Sequence, residues 1–382
     1  MKRGTLVIEA DQYRRKGLGV VNRLKMSGGS RLAEVMPPHL AKHGIEFIHL
    51  GRDSVPASSV MDGYVLFCLL FAMQHYDDVY VKGSLTRELL QNQRMIQEVW
   101  RSWRPDRYRV IPVTCGNIDS AGSLGGSEKR GKSAMSFSGG LDSIFTLLRH
   151  TKKTPESFDL GTAVTALGFD MHLYKRDEFS RLVKRFEPAL SEIGVDHYLI
   201  SINAREFGDF MDWEDSHGLQ IASVLHQMDY CVSTAVIAST WLANRILVPW
   251  GSTPILDHLM SGGKLRILSD GDGFSRPEKI LEVAQSKTMT SLVKVCWQGS
   301  DLSKNCGVCG KCCRTRIQFA AAGINDPSCF DQPFYPDLID KVFLGASAQS
   351  VMALMGDTLA FMERQKEKPE WFERLKKKLQ PT

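Results

Sequence analysis

Residues 134–143 read AMSFSGGLDS. The first four, Ala134 to Phe137, have the apolar pattern of a short strand, and a helix is expected from Ser143 onward. Between them lies the hexapeptide Ser138-Gly139-Gly140-Leu141-Asp142-Ser143. Two glycines without Cβ let successive N–H groups close around an anion. Ser138 and Ser143 add hydroxyl donors at the start of the helix. Asp142 would repel a bare phosphate, but beside Mg2+ a carboxylate becomes favourable. A Gly-Gly pair alone reads as an ordinary turn. The full hexapeptide between strand and helix reads as a phosphate loop.

Working outward, strands are expected over 162–167, 197–202 and 232–239, the last a strand or a buried segment. Helices are expected over 176–192 and 217–228. Strands alternating with helices give an α/β fold with a doubly wound, mainly parallel sheet, whose ligands sit at the carboxyl ends of the strands. This phosphate-loop domain is placed at 134–295. Upstream, residues 1–116 read as a small α/β accessory domain. It has a buried helix over 61–76, a strand over 79–81, a helix over 84–103 capped by Ser84, and a strand over 108–114. Residues 117–133, NIDSAGSLGGSEKRGKS, have the composition of a linker. Within it, GSEKRGKS (126–133) matches the Walker pattern GxxxxGK[ST]. That loop needs a buried strand before it and a helix after it. Here polar glycine-rich residues precede it and a strand follows, so it is read as a plain loop.

The chain has 382 residues, of which 43% are hydrophobic and 24% charged, and it carries a net charge of +5. These values fit an ordinary globular protein and exclude a disordered, collagenous or disulfide-scaffold chain. The longest uncharged apolar run, residues 64–73, is about half of the ~20 residues a spanning helix needs, so no membrane association is expected. The N-terminus lacks an apolar signal core, and a cytoplasmic location is expected. The modest excess of Lys and Arg suits anionic substrates such as nucleotides. Nine cysteines are present and five lie between Cys296 and Cys313. Cys296, Cys306, Cys309 and Cys312 are spaced C-x9-C-x2-C-x2-C. Such knuckles bring thiolates onto one ion, with Gly307 and Gly310 easing the turns. Four thiolates would close a structural Zn2+ site over 296–325; an iron–sulfur cluster is the other chemistry this spacing suits. Residues 326–382 read as a helical extension.

SGGxDS resembles the signature of the PP-loop ATP pyrophosphatases, and the following cysteine cluster makes the chain similar to the 7-cyano-7-deazaguanine synthases of queuosine biosynthesis. The likeness covers about residues 134–325. The stretch from Cys296 to Ile324 and the segment Arg276-Pro277-Glu278-Lys279-Ile280 have counterparts there, with Arg in place of the family's first Lys. Residues 249–259, PWGSTPILDHL, depart from what the family would place around the substrate. The resemblance implies a fold with ATP and Mg2+ held by Ser138, Gly139, Gly140, Leu141, Asp142 and Ser143. It puts adenine against the end of the second strand, around Leu167–Asp170. It also implies catalytic roles for Asp142, Arg276 and Lys279, the last two at the α-phosphate.

The activity so implied is adenylation of a carboxylate, that of 7-carboxy-7-deazaguanine. Amide formation with ammonia would then lead to the nitrile. An accessory domain as large as 1–116 suggests a second acceptor: a protein amine, giving an amide-linked protein modification of the kind used in antiphage defence. A protein partner would then dock through that domain. Two other classes remain open. One is a PP-loop enzyme that modifies tRNA, although no aromatic-and-basic RNA motif stands out, so nucleic acid is not the expected partner. The other is a non-catalytic ATP-binding subunit of a complex.

Overall fold

The strand expected before the phosphate loop lies inside a ten-stranded sheet. The computed structural model describes residues 3–120, 133–152, 154–206, 208–245 and 248–380. In chain order the strands are β1 (Thr5–Arg15), β2 (Gly19–Ser27), β3 (Ile45–Leu50), β4 (Asp78–Thr86), β5 (Val113–Asp119), β6 (Ser133–Ser136), β7 (Leu160–Leu167), β8 (Asp196–Ile202), β9 (Thr234–Ala238) and β10 (Arg266–Asp270). They form one sheet of order β10-β9-β6-β7-β8-β3-β2-β1-β4-β5. Neighbours from β10 to β8 run parallel, as do β1, β4 and β5. The pairs β8–β3, β3–β2 and β2–β1 are antiparallel. The fold is therefore α/β with a mostly parallel sheet, and strands of the first 116 residues extend the same sheet.

Both faces of the parallel part are covered. Ala163 and Leu167 of β7 pack with Leu147 of the helix Leu141–Thr151 and Phe186 of the helix Arg176–Glu192. Val164 faces the other way, into a core shared with Leu66 of the helix Asp62–His75 and Leu225 of the helix Trp213–His226. The period-two alternation of side chains along a strand sends adjacent residues into different cores. A third cluster, around Ile317, Met355 and Leu375, holds the helical C-terminal segment, with helices Ala348–Glu363 and Phe372–Lys378. No helix among the described residues is long and apolar enough to cross a membrane.

Several sequence expectations shift. The helix expected from Ser84 starts at Arg87, and its cap is Thr86, whose hydroxyl accepts from Leu89 N. Thr86 is fixed there by the buried carboxylate of Asp62, which accepts from both its N–H and its hydroxyl. Ser84 stays in β4, which runs well past the expected 79–81. The strand expected over 108–114 is Val113–Asp119 instead. Tyr108 and Ile111 are apolar anchors buried without a strand partner, and their spacing imitates alternation. Residues 117–119, assigned to the linker, belong to β5. The helix expected from His217 begins at Trp213, capped by Asp212. Residues 121–132, including most of the rejected Walker match, lie outside the described residues, and Ser133 opens β6 rather than ending a loop. Strands β1, β2, β3 and β10 are not anticipated by the sequence reading.

Candidate functional site

The chain leaves β6, passes Ser138-Gly139-Gly140 and enters the helix Leu141–Thr151. Gly139 has φ +70°, and a Cβ there would fall inside the Phe186 ring. Both facts require glycine. Gly140 caps the helix without a side-chain acceptor, leaving first-turn N–H groups available to an anion. Ser138 Oγ accepts from Gly140 N at 3.2 Å, and Ser143 Oγ donates to Gly140 O at 3.0 Å. Lys294 N donates to Gly139 O at 2.7 Å, tying the loop to the chain just before Cys296.

Asp142 lies between two cations. Arg276 Nη2 is 3.2 Å from one carboxylate oxygen and Lys279 Nζ is 3.1 Å from the other. Lys279 is wholly buried and also donates to Ser239 O. Both cations come from the helix Arg276–Val283, which starts in a capping box of Ser275 and Glu278. Burial pushes the Asp142 carboxyl up, but Arg276 and Lys279 outweigh it and hold the pKa below the usual range. Neither cation lines the cavity described next; both act on Asp142.

A cavity of about 270 Å³ opens beside the loop. Ser138, Gly140, Asp142 and Ser143 form one wall, and Thr165, Ala166, Ile237 and Ala238 the strand ends. It lies where the chain, after moving from β6 through β7 to β8, returns to β9 on the other side of β6. Reversals of this kind are where open α/β sheets place ligands. Leu167 is not in this wall. It packs with Ala163 and Phe186 and borders a second cavity with Leu50 and Leu199. The loop residues Gly139 and Leu141 shape the site from behind, Leu141 being fully buried.

The far wall is aromatic: Phe169, Trp213, Trp250 and Trp297, with His217 among them. His217 is 5.0 Å from the Trp250 ring and 5.7 Å from Trp213, measured between ring centroids. Ser252 also lines the wall and donates at 2.9 Å to Asp257, a fully buried carboxyl that burial pushes up to about 7. The sequence reading reaches only Phe169, within the stretch 167–170 expected at adenine, and singles out none of the others. Their signal is the tryptophan-rich stretch from Trp213 to Trp250, together with residues 249–259, which stand out there only as a departure from the family.

The four predicted cysteines converge. The sulfurs of Cys296, Cys306, Cys309 and Cys312 all lie within 4.8 Å of one another, and the Cys306–Cys312 separation is 3.8 Å. A tetrahedron with metal–sulfur bonds of ~2.3 Å has edges of about 3.8 Å. Backbone N–H groups of Cys306, Cys309 and Cys312 point at the sulfurs of Cys296, Cys306 and Cys309 at 3.1, 3.3 and 3.4 Å. Hydrogen bonds of this kind favour thiolates. The cluster can hold a metal ion such as zinc. Cys313 points elsewhere, donating to Val308 O.

No family model, no curated protein and no solved structure matches this chain.

The metal cluster and the cavity are neighbours. Lys311 lies within the second knuckle, between Cys309 and Cys312, Trp297 follows Cys296, and both line the cavity. Lys294 Nζ lies 4.0 Å above the Trp297 ring and has no hydrogen-bond partner among the described residues. Burial pushes its pKa down. The cation over the indole face fixes the plane of Trp297.

Proposed function

We propose that this protein uses ATP to adenylate a carboxylate, that of 7-carboxy-7-deazaguanine, and passes the acyl group to nitrogen. The observation that carries the reading is the loop of residues 138–143, with its glycine geometry and its free helix N-terminus, opening onto a cavity walled by indole rings. Attack of the carboxylate on the α-phosphorus forms the acyl–adenylate and releases pyrophosphate. AMP is then a good leaving group, which a free carboxylate lacks. Positioning and charge neutralisation are what the chain must contribute. The loop N–H groups would hold the departing pyrophosphate. Asp142 is the acidic group of that loop and would hold Mg2+, which neutralises phosphate charge. Arg276 and Lys279 keep Asp142 ionised and in place. The indole wall suits a planar heterocycle.

The four-cysteine cluster is proposed as a structural Zn2+ site, in keeping with four thiolates and no open ligand position. The acceptor is ammonia, leading through an amide to the nitrile, or a protein amine. The test is pyrophosphate release by the full-length protein with ATP and Mg2+. Release that depends on 7-carboxy-7-deazaguanine is expected, and mass spectrometry of the product then separates free nitrile from a protein-linked amide. Absence of acid-dependent release overturns the reading.

A further inference from the structure

We propose that His217 is the proton acceptor for the attacking amine, a catalytic base in the acyl-transfer half of the reaction. The proposal rests on the adenylation reading above. The side chain's surroundings dictate its tautomer. Nδ1 lies 3.0 Å from Trp213 O and 3.1 Å from Glu214 O. Carbonyl oxygens only accept, so Nδ1 carries the hydrogen. In a neutral imidazole the lone pair is then on Nε2. That atom has no hydrogen-bond partner among the described residues, and the ring lines the cavity that also holds Ser138, Asp142 and Ser143.

The ring is held as well as oriented. Trp250 and Trp213 pack on it, and Gly251 approaches so closely that a Cβ there would stand 2.7 Å from Nδ1. The charged groups facing the same space are Asp142 from the loop helix, Asp170 from the segment after β7 and Lys311 from the second knuckle. Burial lowers the His217 pKa; the two carbonyls and Asp170 raise it, Lys311 lowers it, and the net direction is down. The imidazole is therefore neutral at pH 7. Asp142 is a poor rival as a base because two cations already hold its oxygens.

The chemistry balances without a further reagent. The amine nitrogen attacks the acyl carbon, forming C–N while the C–O bond to AMP breaks. AMP leaves with that electron pair. The surplus proton on nitrogen passes to Nε2 of His217 and then to water.

The experiment compares full-length wild type with His217→Gln in two assays. One is ATP–pyrophosphate exchange dependent on 7-carboxy-7-deazaguanine. The other is hydroxamate formation with hydroxylamine as the nucleophile. In His217→Gln, transfer should fall roughly a hundredfold further than exchange does, the low end of what a general base supplies. The wild-type transfer rate should rise with pH along an acidic limb that the variant lacks. Equal loss of exchange and transfer, or unchanged transfer, overturns the base assignment. A wild type without acid-dependent exchange overturns the adenylation reading and the assignment with it.

Discussion

Arg107 Nη1 stands 2.8 Å from Asp215 Oδ2, linking the N-terminal part of the chain to the helix that carries Trp213 and His217. Asp215 is almost fully buried and also accepts from Tyr108 OH at 2.8 Å. Arg107→Ala should therefore loosen that helix from its support. Because Arg107 is about one-third exposed (36%), water screens the pair, and the expected loss is about 1–2 kcal/mol rather than the larger cost of a fully buried pair. Urea midpoints of the wild type, Arg107→Ala and Arg107→Lys would show it, with the lysine variant in between.

Alanine at Asp142 would strand Lys279, which has no exposure and, among the described residues, only Ser239 O as a remaining hydrogen-bond partner. Asp142→Ala should abolish pyrophosphate release and also destabilise the protein by about 3 kcal/mol. Asp142→Asn keeps a hydrogen-bonding group there and should lose the activity with a smaller shift in Tm. Activity in both variants at the wild-type level would remove Asp142 from the mechanism.

Two glycines with similar backbones should respond differently. Gly4 has φ +76° with open space around its Cβ position, whereas Gly139 has φ +70° with Phe186 in the way. Gly4→Ala should cost about 1–2 kcal/mol of left-handed strain. Gly139→Ala should cost more and displace the loop, so that ATP no longer protects the protein against heat. Thermal scans with and without ATP read both effects.

Metal analysis should find about one zinc per chain. Cys306→Ser should lose the metal and much of its solubility, because a structural site contributes folding free energy directly. Cys313→Ser should keep both, since Cys313 lies outside the cluster. Zinc lost equally from both variants would mean that the ligand set differs.

Acid should weaken the fold before its carboxylates titrate. His49 is buried with Nδ1 against Tyr198 OH at 2.7 Å and Nε2 against Asn22 Nδ2 at 3.0 Å, and burial pulls its pKa down to about 4. Below pH 6.5 the unfolded imidazole takes a proton that the folded one refuses until about pH 4. Stability is therefore full above 6.5 and falls as pH drops through that window. From about pH 7 to about pH 5 the loss attributable to His49 is about 2 kcal/mol. Urea unfolding of the wild type and His49→Gln at both pH values should show a smaller pH dependence in the variant.

What can be read from sequence follows local signals. The strand–glycine–helix punctuation locates the loop, and the CxxC spacing locates four sulfurs that converge as expected. Helix Arg176–Glu192 is bounded correctly because its apolar period is strong. The far wall escapes a sequence reading because Trp250 and Trp297 reach Trp213 and His217, four residues apart on one helix, only through tertiary folding. The β1–β2 ribbon escapes it because its outer face alternates charge with charge: Asp11 pairs with Arg23 and Lys25, and Arg15 with Glu46, so no simple apolar pattern marks it. Leu167 borders a second cavity, and the wall near the loop belongs to Thr165 and Ala166 earlier in the strand and to Phe169 and Asp170 just beyond it.

The seam where β3 meets β8 has a consequence for synthesis. Phe47, Ile48 and His49 pair with Ile202, Ser201 and Ile200. A chain emerging from the ribosome presents β3 long before β8 exists to cover it. Until then the nascent N-terminal part carries an open strand edge bearing Ile45, Phe47 and Ile48, the sort of edge that recruits other strands. Slower translation between these two points should raise the yield of aggregated chains, and a chaperone that shields extended apolar segments should lower it.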